Sequence, residues 1–217
     1  NSLDNSAINF NTFELEKKWL AYGQPDIKEL ARLIGSRRSC RNFKSKAVER
    51  PIIEDLVRFG KLAPSGSNCQ KWTFTCLTSR EQVVKFAFSI GSFYKNLNKM
   101  AKNPILKYAL KAVGKPELYI YHRDYYDKVN DAIYEMENNG KDLLFHGAAA
   151  CIIIGSAPDA SCPADDALLA TQNILLAAHA MGIGTCLIGF AVKALERDRK
   201  IQKKFGITEE ETIYSVI

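Results

Sequence analysis

The amino-acid sequence predicts an α+β domain in which helices flank a central sheet. Segments with apolar residues at helical spacing recur along the chain. Short alternating or wholly apolar runs between them read as strands. The two kinds mix without the regular βαβ rhythm of a doubly wound parallel sheet. With 217 residues, 47% of them apolar and 25% charged, the chain has the composition of one large globular core. That composition excludes wholesale disorder, a collagen-like chain and a coiled coil.

Residues 1–25 show little periodicity and read as an arm or linker; residues 26–217 read as the domain. Asp26 is a helix N-cap, with Ile27, Leu30, Ala31, Leu33 and Ile34 on one face and Gly35 at the end. A second helix starts near Pro51, with Ile52, Ile53, Leu56, Val57 and Phe59 facing inward, and runs out in the turn-rich Ala63–Asn68. Trp72–Thr78 alternates like a strand. Residues 91–141, rich first in lysine and then in tyrosine, read as a helical insertion or lid, the tyrosines as packing residues. Ala148–Gly155 reads as a buried strand and Pro163–Met181 as a buried helix with Asp165 and Asp166 in its first turn. Thr185–Ile188 and Glu211–Ile217 read as further strands, with a charged helix from Lys193 to Phe205 between them.

The net charge of +6 is local: residues 82–116 carry seven lysines and no acid, and the rest of the chain sums to −1. A solvated helix face explains this run; a rim for an anionic substrate, cofactor or acidic partner is the functional alternative. No nucleic-acid motif accompanies it. The apolar runs fall short of a transmembrane span. The chain begins at Asn1 without a signal-peptide pattern, so it reads as trimmed or as part of something longer, and a cytoplasmic location is expected. Six cysteines at no metal-like spacing read as free thiols.

Neither a GxSxG, HExxH nor Walker A pattern occurs, and His122, His146 and His179 are isolated in the sequence. Gly182-Ile183-Gly184 with Gly189 misses the dinucleotide fingerprint. With no side-chain nucleophile or metal cluster, an organic cofactor is expected to carry the chemistry. Three loops offer groups for one. Arg37, Arg38 and Arg41 bracket Ser39, and guanidinium forks match phosphate oxygens; a solvated surface loop is the alternative. Ser65, Ser67, Asn68 and Gln70 offer hydroxyls and carboxamides that suit the edge of a pyrimidine-like ring. Gly182–Gly189 could present backbone N–H groups.

In order, these loops resemble the FMN-dependent nitroreductase family. Arg37-Arg38-Ser39-Cys40-Arg41-Asn42-Phe43 is similar to its RRSxRxF element, Ala63–Phe74 to its APSGxNxQPWxF segment, and Asp166–Gly189 to its late helix, Gly-x-Gly turn and following strand. The resemblance implies a central mixed sheet flanked by helices and an interlocked homodimer with FMN at the subunit interface. It implies that Arg37, Arg38, Ser39 and Arg41 hold the phosphate and ribityl chain, and that Pro64, Ser65, Asn68 and Gln70 approach the flavin from the opposite subunit. Leu187, Ile188 and Gly189 would pass the ring, with a backbone N–H near N5. The implied reaction is ping-pong hydride transfer from NADH or NADPH to a nitroaromatic, quinone or other small aromatic acceptor. An acidic ferredoxin-like donor is a further expected partner; nucleic acid, membrane and metal are not. The sequence departs from the family pattern at Lys71, where proline is common, and in lacking a Glu in the strand after Gly184. It also stops before the family's GYP turn and basic tail. The helix and arm before Arg37 resemble members fused to a ferredoxin-like domain, whose cysteine motifs are absent. Alternative readings are a non-enzymatic flavin- or anion-binding protein that docks an acidic partner, and a specialised flavin enzyme for dehalogenation or flavin breakdown.

Overall fold

A computed structural model describes residues 8–16 and 19–217; the remaining arm residues lie outside it. The described chain forms helices α1 (Ile27–Ser36) and α2 (Arg50–Lys61), strand β1 (Trp72–Leu77), and helices α3 (Arg80–Lys102), α4 (Pro104–Ala112), α5 (Glu117–Asp124) and α6 (Tyr126–Asn139). Strand β2 (Cys151–Ser156), helices α7 (Pro163–Ala180), α8 (Gly189–Arg197) and α9 (Arg199–Lys204), and strand β3 (Thr212–Val216) follow.

Strand β2 lies between β1 and β3, antiparallel to both. All six of its residues are buried, and its alternation sends side chains to two cores. Cys151 and Ile153 join Val83, Phe86 and Ile90 of α3 and Ala191, Ala194 and Leu195 of α8. Ile152 and Ile154 join Ile53 and Leu56 of α2 and Ala167, Ile174 and Ala178 of α7. A register shift after Ile154 falls where a Cβ on Gly155 would stand 2.7 Å from the Thr212 carbonyl oxygen, so only glycine fits.

Several elements differ from the sequence expectations. Thr185–Ile188 is not a strand: it makes one parallel bridge, Ser39 with Thr185, and Ile188 N–H donates to the Val216 carbonyl before α8 begins at Gly189. That bridge stands apart from the three named strands, which pair antiparallel. The expected helix from Lys193 to Phe205 is two helices, because Asp198 leaves the helical conformation and caps α9 by accepting from Lys200 N–H. Residues 91–102 form the second half of α3, a helix started by a Ser79/Gln82 capping box, and with Gly91, Tyr94, Asn98 and Ala101 buried they belong to the core. Among the lysines of this region, Lys85 pairs with Glu81 and Lys95 with Glu137, while Lys111 lies 3.9 Å from the centre of the Tyr119 ring.

The described part of the arm docks on α2. Phe10 and Phe13 stack with each other and against Phe59. The buried Asp55 carboxylate accepts from the N–H groups of Asn11 and Thr12 at 2.7 and 2.8 Å, from the Thr12 hydroxyl at 2.7 Å, and from Arg58. Burial pushes the Asp55 carboxyl up, but these donors outweigh it and hold its pKa below the ordinary value. Such a carboxylate adds stability above its unfolded pKa, about 3.9, and that contribution is lost as pH falls through the depressed native value. Asp55→Asn is therefore expected to cost about 3 kcal/mol at neutral pH, because it leaves Arg58 and the arm's donors without their charged acceptor. Urea denaturation should show the gap to the wild type narrowing below about pH 3.9; a gap independent of pH would mean that the charge does not clamp the arm.

Candidate active site

Helix α7 fixes where the three loops lie. At its N-terminal end the buried Asp166 accepts from Gly66 N–H at 2.9 Å and from the Cys69 thiol at 3.6 Å, tying down the loop of residues 64–70. At its other end His179 Nε2 is 2.8 Å from the Ser36 hydroxyl, which anchors the end of α1 and the loop that starts at Arg37. His179 stands thirteen positions after Asp166, about 20 Å along a helix at 1.5 Å per residue.

The loops Arg37–Phe43 and Gly182–Gly189 meet. Cys40 N–H donates to the Thr185 carbonyl at 2.8 Å, beside the Ser39–Thr185 bridge. The approach is too close for a side chain: a Cβ on Gly184 would stand 2.8 Å from Cys40 Cβ and 2.9 Å from its Sγ. Arg38 donates to the carbonyls of Gly35 and Arg37 and so finishes α1. Among the described residues, the guanidinium groups of Arg37 and Arg41 have no hydrogen-bond or ion-pair partner within the chain. The first N–H groups of α8, at Gly189 and Phe190, have no acceptor within that helix.

Arg41, Leu187, Ile188 and Gly189 line a cavity of about 820 Å³. Arg37, Arg38 and Ser39 lie outside its wall. Leu187 is 52% exposed, so this stretch presents an open apolar surface beside Arg41. The facing wall comes from α3 and α5: Phe93, Tyr94, Leu97, Leu118 and Tyr121, completed by Tyr125 and Phe190. Phe190 meets the Tyr94 ring edge-on at 5.5 Å and the Tyr125 ring at 5.7 Å, and the Tyr94 hydroxyl donates to the Phe190 carbonyl at 2.9 Å. A second, mostly apolar cavity of about 530 Å³ lies behind the paired loops, lined by Cys40, Phe43, Ile53 and Ile217 among others.

His146 also borders the larger cavity, and sequence reasoning missed it because it stands alone in the chain. Arg80 and the N–H groups of Leu144 and Phe145 hold the Asp142 carboxylate, which folds the loop so that His146 takes a φ of 55°. Burial lowers its imidazole pKa; Asp142 opposes that and Arg41 reinforces it. The aromatic wall was visible in the sequence only as tyrosines of the 91–141 segment, without the face that they share.

Ser65, Asn68 and Gln70 lie at the far end of α7, away from this cavity. Ser67, Asn68 and Gln70 all have φ near 53°, a conformation that L-residues rarely adopt, and Asn68 and Gln70 are exposed. Gln70 N–H donates to the Ser65 hydroxyl and the Gln70 amide to Asn68 Oδ1. This is a stiff, outward display of carboxamides. No group of metal-ligating side chains occurs among the described residues, and no described helix is long and apolar enough to cross a membrane.

Fold and site together define an α+β domain that presents the free guanidinium of Arg41 and helix N–H groups at the mouth of an aromatic cavity. Residues 34–217 match the sequence model of the nitroreductase family, and the chain belongs to that family. A protein of Archaeoglobus fulgidus whose name joins NADH dehydrogenase and NAD(P)H nitroreductase is 25% identical over 193 residues, covering 88% of this chain and 84% of that one. Among solved structures, a nitroreductase with bound FMN from Desulfitobacterium hafniense superposes with a TM-score of 0.60 at 22% identity, covering 87% of this chain and 86% of the other. The FMN-dependent nitroreductase of Mycobacterium smegmatis in complex with NADPH gives 0.58 at 20% identity, covering 88% and 86%.

The Gly184 contact yields a direct test of the loop pairing. Gly184→Ala is expected to cost about 1–3 kcal/mol by overpacking against Cys40. Adding Cys40→Gly should restore most of that loss in a double-mutant cycle read by thermal unfolding. Strict additivity of the two changes would mean that the loops do not touch there.

Proposed function

We propose that the chain is an FMN-dependent oxidoreductase that works as a homodimer and passes hydride from NADH or NADPH to a small electron-poor aromatic acceptor. The observation that carries this reading is the pairing of the Arg37–Phe43 and Gly182–Gly189 loops, which sets the unpaired guanidinium of Arg41 in the cavity wall beside Leu187, Ile188 and Gly189. The donor set fits the cofactor: guanidinium groups and a serine hydroxyl for a phosphate, free N–H groups at the start of α8, and an apolar strip at Leu187 and Ile188 for a flat ring. The FMN-bound nitroreductase of Desulfitobacterium hafniense and the FMN-dependent one of Mycobacterium smegmatis support the same assignment.

In this reading Arg37, Arg41 and Ser39 bind the phosphate end, and Arg38 keeps their loop in place by closing α1. Bound FMN supplies the hydride acceptor and donor, so the protein needs no side-chain nucleophile. Leu187, Ile188 and Gly189 orient the ring against the backbone, and the wall of Tyr94, Tyr125 and Phe190 excludes water from the space where donor and acceptor alternate. Pro64, Ser65, Asn68 and Gln70 act in the other subunit's site. About 20 Å of α7 keeps them from their own, and a twofold-related copy is the simplest way to bring the rigid carboxamide loop to the cavity. The basic faces of α3 and α4 fit a supplementary role, docking an acidic ferredoxin-like donor.

An absorption spectrum with identification of released chromophore is expected to give about one FMN per chain, and NAD(P)H oxidation should require an added acceptor. A protein that stays colourless after incubation with FMN would overturn the reading. Arg37→Ala with Arg41→Ala should strip the flavin without unfolding the chain, as judged by circular dichroism. The shared site has its own test. Arg41→Ala and Asn68→Ala proteins, each deficient alone, should regain up to about a quarter of wild-type activity when their subunits are exchanged, since half the dimers then carry one intact site of two. Failure to complement would place both loops in one subunit's site.

A further inference from the structure

We propose that the acceptor taken by this cavity is an aryl carboxylate, its ring against Tyr94, Tyr125 and Phe190 and its carboxylate at Lys193 and Arg197. The proposal rests on the reading of the cavity as the acceptor site.

Phe190, Lys193 and Arg197 follow one another at i, i+3 and i+7 on α8, so they share one face of that helix, and all three line the cavity. Lys193 lies about 4.5 Å and Arg197 about 10.5 Å along the axis from Phe190. A carboxylate on or next to the ring therefore reaches Lys193, and one on a longer arm reaches Arg197. The edge-on contacts of Phe190 with Tyr94 and Tyr125 leave an apolar slot of the kind that takes a flat ring. The hydroxyls of Tyr94 and Tyr121 add no negative charge: burial pushes both phenols well up, and Tyr121 donates to Asn98.

Charge around the cavity is one-sided. Arg41, Lys193 and Arg197 face a single acid, Glu117. Arg41 is committed to the cofactor phosphate, which leaves the two cations of α8 for the other ligand. The Arg197 guanidinium has no hydrogen-bond or ion-pair partner among the described residues. Lys193 pairs with Glu196 one turn on, but both side chains are solvated, and an exposed pair of that kind is readily exchanged for a better one. A guanidinium beside an aromatic slot can bind a carboxylate bidentately, which a neutral acceptor cannot exploit. The phosphates of a dinucleotide donor carry the same kind of charge, so the test separates the two sources.

The flavin-loaded protein is assayed with 4-nitrophenylacetate and with its neutral analogue 4-nitrophenylacetamide, and phenylacetate binding to the protein is measured by calorimetry. The wild type is expected to prefer the carboxylate by roughly tenfold in kcat/KM, the scale of one charge-assisted contact. In the variant carrying Lys193→Gln and Arg197→Gln, that preference should fall to near unity through KM, and phenylacetate binding should be lost. A wild type that shows no preference and binds no phenylacetate overturns the proposal. So does a double variant that keeps the preference while its KM for NADPH rises, because the cations then serve the donor. The calorimetric arm needs no turnover: phenylacetate bound through Lys193 and Arg197 by a protein unable to oxidise NAD(P)H would sustain the carboxylate subsite but overturn both the proposed reaction and the role of its ligand as acceptor.

Discussion

Strand β2 has no solvent face, and the rest of the molecule is arranged around that constraint. A strand buried on both sides needs apolar partners above and below it, and Cys-Ile-Ile-Ile supplies side chains to each in turn. The α2–α7 layer covers one side and the α3–α8 layer the other. The strand's central place also leaves β1 and β3 as edges, and β3 extends its pairing through Val216 to Ile188. The start of α8, and with it the cavity mouth, is therefore hung directly on the sheet. A site assembled this way inherits the rigidity of the core, which holds groups in place better than a free loop would.

The second consequence concerns distance. Helix α7 must run the length of the layer that covers β2, so whatever is tied to its two ends is held apart. Asp166 and His179 are the ties, one a buried carboxylate taking an N–H of the carboxamide loop, the other an imidazole against the Ser36 hydroxyl. Neither loop can reach the other without dismantling α7. The proposed homodimer follows from this geometry. The half-exposed apolar face of α1, with Ile27 and Ile34 uncovered, likewise suits a chain whose partner supplies part of its surroundings.

How much of this was legible in the sequence depended on whether the determinant was local. The cap of α1, the proline near the start of α2 and the apolar run of β2 act over a few residues, and each of these elements lies within a few residues of its expected place. The loops were legible for the same reason, since arginine spacing and turn chemistry are local properties. Thr185–Ile188 misled because an apolar run before glycine looks like a strand, whereas its neighbour is the Ser39–Cys40 backbone, contributed by a distant loop. Asp198 was hidden in a charged run, where a cap and a solvated side chain look alike. The aromatic wall joins residues 94, 125 and 190, and His146 depends on an Arg80–Asp142 tie across 62 positions; no periodicity reports such pairings. Asp55 carried a comparable tertiary message, because a carboxylate inside an amphipathic helix reads as surface until the arm is seen folded on it.

Unpaired cations near a cavity are themselves a constraint. Arg41 and Arg197 find no acid within the described chain, and the nearby imidazole of His146 is held toward its neutral form, so the region carries positive charge that folding alone does not neutralise. An anion that binds there relieves that charge in the native state and has no comparable site in the unfolded chain, so it stabilises the fold in proportion to its affinity. Elsewhere the chain manages the same problem internally: Arg58 meets Asp55, Arg80 meets Asp142, and Lys111 covers a tyrosine ring. Where it does not, the missing counter-charge is what a ligand is positioned to supply. The loop that carries Arg41 is fixed by a contact that no larger residue could make, Gly184 against Cys40. Unneutralised charge held on a rigid frame gives a site selective for anions of one size and placement, and in the proposed reading the cofactor phosphate and an acceptor carboxylate divide it between them.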